Sequence, residues 1–99
     1  MAHGDKGNLV WENDVAAAFR DIHPKAPVHV LVVPKRHVDS LDRVTDAESI
    51  GDLMLAVKDV AKQLGLDSGY RVQINVGKHG GQVVDHLHVH IMGGKQFHD

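Results

Sequence analysis

The sequence predicts an α+β fold in which a mostly antiparallel sheet of five strands packs against one long helix. Val28–Val33 is rich in β-branched residues, which is typical of a buried strand. Apolar side chains recur at helical spacing from Ile50 to Leu64 and form one stripe. Apolar and polar residues alternate from Tyr70 to Val76, as they do on a half-buried strand. Most connections are too short for βαβ crossovers, so the strands should pair antiparallel.

The size and charge of the chain indicate one globular domain. It has 99 residues and a formal net charge of −2, and we assign the domain to residues 9–99, behind a flexible polar leader at Met1–Asn8. The near-neutral charge argues against nucleic-acid binding, which requires a basic surface. No apolar run approaches the ~20 residues of a membrane span, and the leader does not resemble a signal peptide. We therefore expect a cytoplasmic protein with neither a nucleic-acid nor a membrane partner.

The content of cysteine and histidine is unusual. The chain has no cysteine, which excludes a disulfide scaffold and a cysteine-based zinc site. It has nine histidines, and imidazole is both a proton carrier at neutral pH and a common metal ligand. The positions of these histidines must decide between those roles.

The first half of the chain contains three predicted strands. Leu9–Glu12 is a short strand candidate, and a turn signal at Asn13 follows it. Val15–Ile22 is the second candidate, and Val28–Val33 is the third. Pro34 ends the third strand, and His37 in the basic loop beyond it is expected to be a surface residue.

The second half contains the helix and two further strands. Thr45 and Glu48 fit a capping box at the start of the helix, and Gly65 suits the position just past its end. The apolar stripe of this helix should face the core or a dimer partner. Tyr70–Val76 and Val83–Met92 are the last two predicted strands, with a glycine-rich loop between them.

His86, His88 and His90 alternate with apolar residues. On a strand, this spacing places the three imidazoles on one face, with successive rings ~6.6 Å apart. Such a face could bind a metal, although the outer pair would be ~13 Å apart unless the strand bends. It could also be a purely structural surface. A third interpretation is catalysis, in which one imidazole attacks phosphorus and its neighbours transfer protons.

The loop before these histidines favours the catalytic interpretation. Gly80 and Gly81 allow successive backbone N–H groups to converge on an anion. Gln82 follows them, and Asn75 on the neighbouring strand adds a neutral donor on the same side of the sheet. A glycine loop beside an imidazole nucleophile suits phosphoryl transfer.

Two segments carry a resemblance to a known family. Gly80–Gly94 resembles the histidine triad motif, His-φ-His-φ-His-φ-φ with φ apolar, and Ala18–His37 resembles the first half of the same family. The resemblance runs from about Leu9 to His98 and is closest to the Hint branch of the histidine triad (HIT) family. It implies a homodimeric nucleotide hydrolase, typically a purine nucleoside phosphoramidase, with a sheet that continues across a twofold dimer.

The resemblance also implies roles for the histidines. His88 would be the nucleophile that forms a nucleotidyl-histidine intermediate, and His90 would contact the phosphate and assist proton transfer. His86 and His29 would support the nucleophile and fix its tautomer. At Val83 the family usually has Ser or Thr, and valine has no hydroxyl to offer the phosphate or the leaving group.

The remaining predicted site residues would bind the nucleotide. The resemblance implies that the phosphate is held by Asn75, Gly81, Gln82 and Val83, and that the nucleoside is held by Phe19, Asp21, Ile22 and Leu31. The expected ligand is an AMP- or GMP-type purine nucleotide, and no cofactor or metal is expected. Three alternatives stay open at this point: a nucleotide-binding module with little turnover, a dinucleoside polyphosphate hydrolase, and a metal-binding histidine strand.

Overall fold

The computed structural model describes residues 6–98. It contains five antiparallel strands in the spatial order β1-β2-β3-β5-β4 and one α-helix, which confirms the predicted fold class. The elements are β1 (Leu9–Glu12), β2 (Ala16–Arg20), β3 (Val28–Pro34), α1 (Ala47–Gln63), β4 (Arg71–Gln73) and β5 (Val89–Gly93).

The leader predicted at residues 1–8 lies partly outside the described residues. Residues 1–5 are not described, and Lys6–Asn8 forms a 3₁₀ turn directly before β1. None of the helices within residues 6–98 is long and apolar enough to cross a membrane.

The helix covers one face of the sheet. Its buried residues are Leu53, Ala56, Val57, Val60 and Ala61, which confirms the predicted apolar stripe. They pack against alternate residues of the three central strands, among them Ala16, Ala18, Val30, Val32, Val89 and Ile91. The residues between these positions therefore point to the opposite face of the sheet, which the helix leaves open.

The two ends of the helix differ in how closely they follow the prediction. The N-cap is Asp46 rather than Thr45, because the Asp46 carboxylate accepts a hydrogen bond of 2.9 Å from the backbone N–H of Ser49. Gly65 has a φ of +73°, as expected for the residue that ends a helix in the left-handed region.

The last two strands are shorter than predicted. Only Arg71–Gln73 of the predicted 70–76 strand is paired, and all three of its residues are exposed, because β4 lies at the edge of the sheet. The last strand begins at Val89 instead of Val83. The backbone N–H of Leu87 bonds to the carbonyl of Val38, outside the sheet, so His86 and His88 precede the paired strand.

Candidate active site

A cavity of about 700 Å³ lies on the open face of the sheet. His29, His88 and His90 line it from β3 and from β5 with the segment before it. Seven other predicted site residues also line this cavity: Phe19, Asp21, Ile22, Leu31, Asn75, Gly81 and Val83. Strand register explains the grouping, since Phe19 pairs with Leu31, Leu31 with His90, and His90 with Gln73. Paired residues in a sheet share a face, so distant parts of the chain meet here.

The tautomer of His88 follows from its hydrogen bond. The Nδ1 atom of His88 lies 2.7 Å from the backbone carbonyl oxygen of His86. A carbonyl only accepts, so Nδ1 carries the hydrogen and donates. The neutral ring then has a lone pair on Nε2. His88 is only 8% exposed, yet it lines the cavity, and an imidazole nitrogen with a lone pair is chemically able to act as a nucleophile.

His29 and His90 form a second hydrogen-bond chain. The backbone N–H of Lys25 donates to His29 Nδ1 at 3.0 Å, so the His29 hydrogen is on Nε2. His29 Nε2 lies 2.9 Å from His90 Nδ1 and donates to it. A neutral His90 therefore carries its own hydrogen on Nε2. Since the His90 ring also lines the cavity, 5.1 Å from the His88 ring, this N–H can serve as a donor to a ligand beside His88.

Burial keeps the imidazoles of both His29 and His90 neutral. Desolvation, helped by the neighbouring His88 and His29, lowers the pKa of His90 from 6.5 to about 4. Desolvation also lowers the pKa of His29, although the Asp21 carboxylate, 3.4 Å from its Nε2, opposes the change. At neutral pH the chain consists of uncharged imidazoles with defined donors and acceptors.

His86 does not line the cavity and instead supports the segment that holds His88. Its Nε2 lies 3.2 Å from the carbonyl oxygen of Pro34, to which it donates. Its Nδ1 lies 3.0 Å from Nδ1 of His37. The contact from His86 to His88 therefore runs through the backbone, because the His86 carbonyl, rather than its ring, bonds to His88 Nδ1.

His37 is a participant that the sequence analysis missed. Its side chain is exposed, as predicted, but its Nε2 also contacts the Asp39 carboxylate at 2.7 Å. His37 therefore bridges His86 and Asp39 through its two ring nitrogens. No sequence pattern links His37 to His86, which is 49 positions away.

The glycine loop reaches the cavity wall at Gly81. A Cβ at Gly80 would collide with the carbonyl oxygen of Val76, and Gly81 has a φ of +80°. Both positions therefore require glycine. Asn75 donates to the Gly80 carbonyl at 2.7 Å, which leaves its second amide hydrogen for a ligand.

The Gln82 side chain is hydrogen-bonded within the loop and to the segment around Asp39. It is absent from the cavity wall. Its amide nitrogen donates to the carbonyls of Asp39 and Val84, at 2.6 and 3.0 Å, and its oxygen accepts from the backbone of Gly77 at 3.0 Å. Gln82 therefore shapes the loop through these hydrogen bonds, and its phosphate contact stays a prediction.

The predicted nucleoside residues form one end of the cavity. Phe19 is buried at 8% exposure, whereas Ile22 is 70% exposed at the rim. Asp21 Oδ1 accepts from the backbone of His23 at 2.8 Å, which orients a carboxylate that can accept from two vicinal hydroxyls.

One cluster within residues 6–98 has the residue types of a metal site but does not fit a metal well. Asp21, His29 and His90 each place one possible ligand atom within 4.8 Å of the others. However, His29 Nε2 and His90 Nδ1 are only 2.9 Å apart, whereas two nitrogens on a tetrahedral zinc would be ~3.3 Å apart. A hydrogen bond between the two nitrogens explains this distance better than a common metal ion does.

Comparison with known proteins gives a consistent result. The HIT domain profile matches residues 4–97. An uncharacterised HIT-like protein of Synechococcus elongatus is 48% identical over 90 residues, which cover 89% of this chain and 79% of that protein. A HIT family hydrolase of Legionella pneumophila has a similar structure, with a TM-score of 0.85, 40% identity and coverage of 90% and 82%. A histidine triad nucleotide-binding protein of Candida albicans gives a TM-score of 0.77, 36% identity and coverage of 85% and 63%.

Proposed function

Because the chain belongs to the HIT domain family, we propose that it hydrolyses nucleoside 5′-phosphoramidates or related nucleotides through a nucleotidyl-histidine intermediate. The observation that carries this proposal is the state of His88. Its Nδ1 hydrogen is held by a backbone carbonyl at 2.7 Å, which leaves the Nε2 lone pair on a ring that lines the cavity.

The reaction would take place in two displacements at phosphorus. First, His88 Nε2 forms an N–P bond while the bond between phosphorus and the leaving nitrogen breaks, and that nitrogen takes a proton from solvent and departs as a neutral amine. Water then attacks phosphorus, the N–P electrons return to Nε2, and the surplus proton passes to solvent. The net reaction consumes one water molecule and releases a nucleoside monophosphate.

The groups around His88 would stabilise the charge on the phosphoryl oxygens. His90 offers an Nε2–H donor, and Asn75 offers its second amide hydrogen. The backbone of the loop at Gly81 lies on the same wall. The purine nucleoside would occupy the end formed by Phe19 and Asp21, where the carboxylate can accept from the ribose hydroxyls.

Substitution of the nucleophile tests this proposal. His88→Ala should abolish release of the nucleoside monophosphate from adenosine 5′-phosphoramidate and leave nucleotide affinity largely intact, because the surrounding donors remain. His79→Ala, in the exposed glycine loop outside the cavity wall, is the matched control and should keep full activity. Undiminished turnover by His88→Ala would show that another group attacks phosphorus.

Val83 supports a second candidate, a nucleotide-binding module with little turnover. This side chain lines the cavity, is 92% exposed and has no hydroxyl. Val83→Ser and the isosteric Val83→Thr should raise kcat on adenosine 5′-phosphoramidate, by ~2- to 10-fold if the hydroxyl makes one new hydrogen bond in the transition state. Val83→Ala is the control, since it changes size without adding a donor. Equal rates for the wild type and the three variants would show that the side chain at position 83 does not limit turnover.

We also propose that the protein is a homodimer whose sheet continues through β4. The strand Arg71–Gln73 lies at the sheet edge with all of its residues exposed, and an exposed edge can pair with a second copy. Tyr70 and Val72 are 37% and 43% exposed there, and pairing would cover them.

A further inference from the structure

A group of cations lies at the end of the cavity opposite the proposed nucleoside end. Arg71 on β4 pairs with Met92 on β5, and Met92 pairs with His29 on β3. Asp21 follows β2 and lies beside His29. Arg71 and Asp21 thus lie at opposite ends of one row across the sheet, about 14 Å apart at ~4.8 Å per strand.

The segment after β5 adds a second cation to this end. Lys95 and Phe97 both line the cavity. The Arg71 guanidinium lies 4.5 Å from the centre of the Phe97 ring, and Lys95 Nζ lies 5.3 Å from the same centre. Arg71 also donates to the backbone carbonyl of His98 at 2.9 Å, which fixes the segment beside β4. One aromatic ring therefore holds two positive charges at the cavity edge.

Arg71 and Lys95 form no ion pair with a carboxylate within residues 6–98. The three ion pairs found there involve His29, Lys35 and His37, and Asp21 is the one carboxylate among the described cavity residues. Two like charges close together repel, and an anion bound between them would relieve that repulsion. The α-phosphate itself would be held by the histidines and the loop, so this pair is available for a further anionic group.

We propose that Arg71, Lys95 and Phe97 form a subsite for a leaving group that carries a negative charge. This inference rests on the proposed function, since it assigns the second substituent of the phosphorus that His88 would attack. The charge could be a carboxylate on a leaving amine, or the phosphates of a leaving nucleotide. Arg71 and Lys95 would contact the anion, and the Phe97 ring would hold them in position.

The experiment compares one pair of ligands that are matched in shape and differ in charge, together with a third ligand that carries phosphates. The first pair is the adenosine 5′-phosphoramidate of an α-amino dicarboxylate and the corresponding diamide. A dinucleoside polyphosphate is the third ligand. Affinities are measured by calorimetry with His88→Ala, which cannot turn the ligands over, and kcat/KM is measured with the wild-type chain.

We expect the dicarboxylate to bind more tightly than the diamide and to show the higher kcat/KM, by roughly 3- to 10-fold for two partly screened charges. The preference should decrease as ionic strength rises. Arg71→Gln combined with Lys95→Gln should abolish it. The control is Lys58→Gln combined with Lys62→Gln, which removes the same two positive charges from the exposed side of α1 and should leave the preference unchanged.

The outcomes separate this inference from the function on which it rests. Equal binding of the dicarboxylate and the diamide, or a preference that survives the double substitution, would overturn the charged subsite even if turnover is rapid. If binding depends on charge but no ligand is hydrolysed, the subsite stands and the proposed hydrolase function fails. Preference for the polyphosphate over the dicarboxylate would identify phosphate as the charged group.

Discussion

At the scale of single residues, the chemistry of this site depends on which nitrogen of each imidazole carries hydrogen. His88 and His90 are two positions apart, yet they are set in opposite states. His88 donates from Nδ1 to a carbonyl, whereas His90 accepts at Nδ1 from His29. A lone pair and an N–H donor can therefore face the same cavity without a change in charge.

The neutral state of His90 predicts a pH dependence of stability. Its pKa is lowered from 6.5 to about 4 in the folded protein, so between these values the unfolded chain binds more protons than the folded one. The free energy of unfolding should therefore fall as pH decreases from about 6.5 towards 4. His90→Gln should reduce this slope in urea denaturation, whereas His79→Gln, on the exposed loop, should not. If the free energy of unfolding of His90→Gln fell with pH as steeply as that of the wild type, the lowered pKa of His90 would be contradicted.

His37 predicts a kinetic effect from outside the cavity. It contacts His86, whose carbonyl holds His88, so it is a positioning residue. His37→Ala should lower kcat by ~2- to 10-fold, the effect of one lost hydrogen bond, and leave KM nearly unchanged. His37→Asn, which can still donate to His86, should recover part of the loss. A rise in KM with unchanged kcat would show that His37 affects binding rather than the nucleophile.

At the scale of elements, features set by local sequence were predictable. The stripe of α1 depends only on spacing within the helix, and the structure buries it as predicted. The cap was displaced by one residue, because Thr45 and Asp46 are both good caps and only the folded turn selects between them.

The lengths of the last strands could not be predicted because they depend on partners distant in the chain. The alternation of histidines with apolar residues within Val83–Met92 is visible in the sequence, but β5 pairs only where β3 and β4 lie beside it. The same limit applies to the site. The shared face of His88 and His90 could be predicted from their spacing, whereas the contacts of His37 with His86 and of Gln82 with Asp39 depend on tertiary structure.

At the scale of the whole molecule, the charge of the cavity differs from that of the chain. The formal net charge is −2, yet Arg20, Lys25, Arg71 and Lys95 line the cavity together with a single described carboxylate, Asp21. Positive charge concentrated in a concave site attracts anions from solution. This distribution is consistent with an anionic ligand such as a nucleotide.

The proposed dimer gives the last prediction, which concerns assembly. Light scattering with size-exclusion chromatography should give twice the 10.8 kDa chain mass at low micromolar concentration. Val72→Lys should give a monomer, because pairing through β4 would bring two added lysines together at the twofold axis. The control is Val15→Lys, which adds the same charge at a position of similar exposure, 41% against 43%, outside β4, and should remain dimeric. A wild-type chain that elutes only as a monomer at this concentration would refute the dimer, and a dimeric Val72→Lys would place the interface elsewhere.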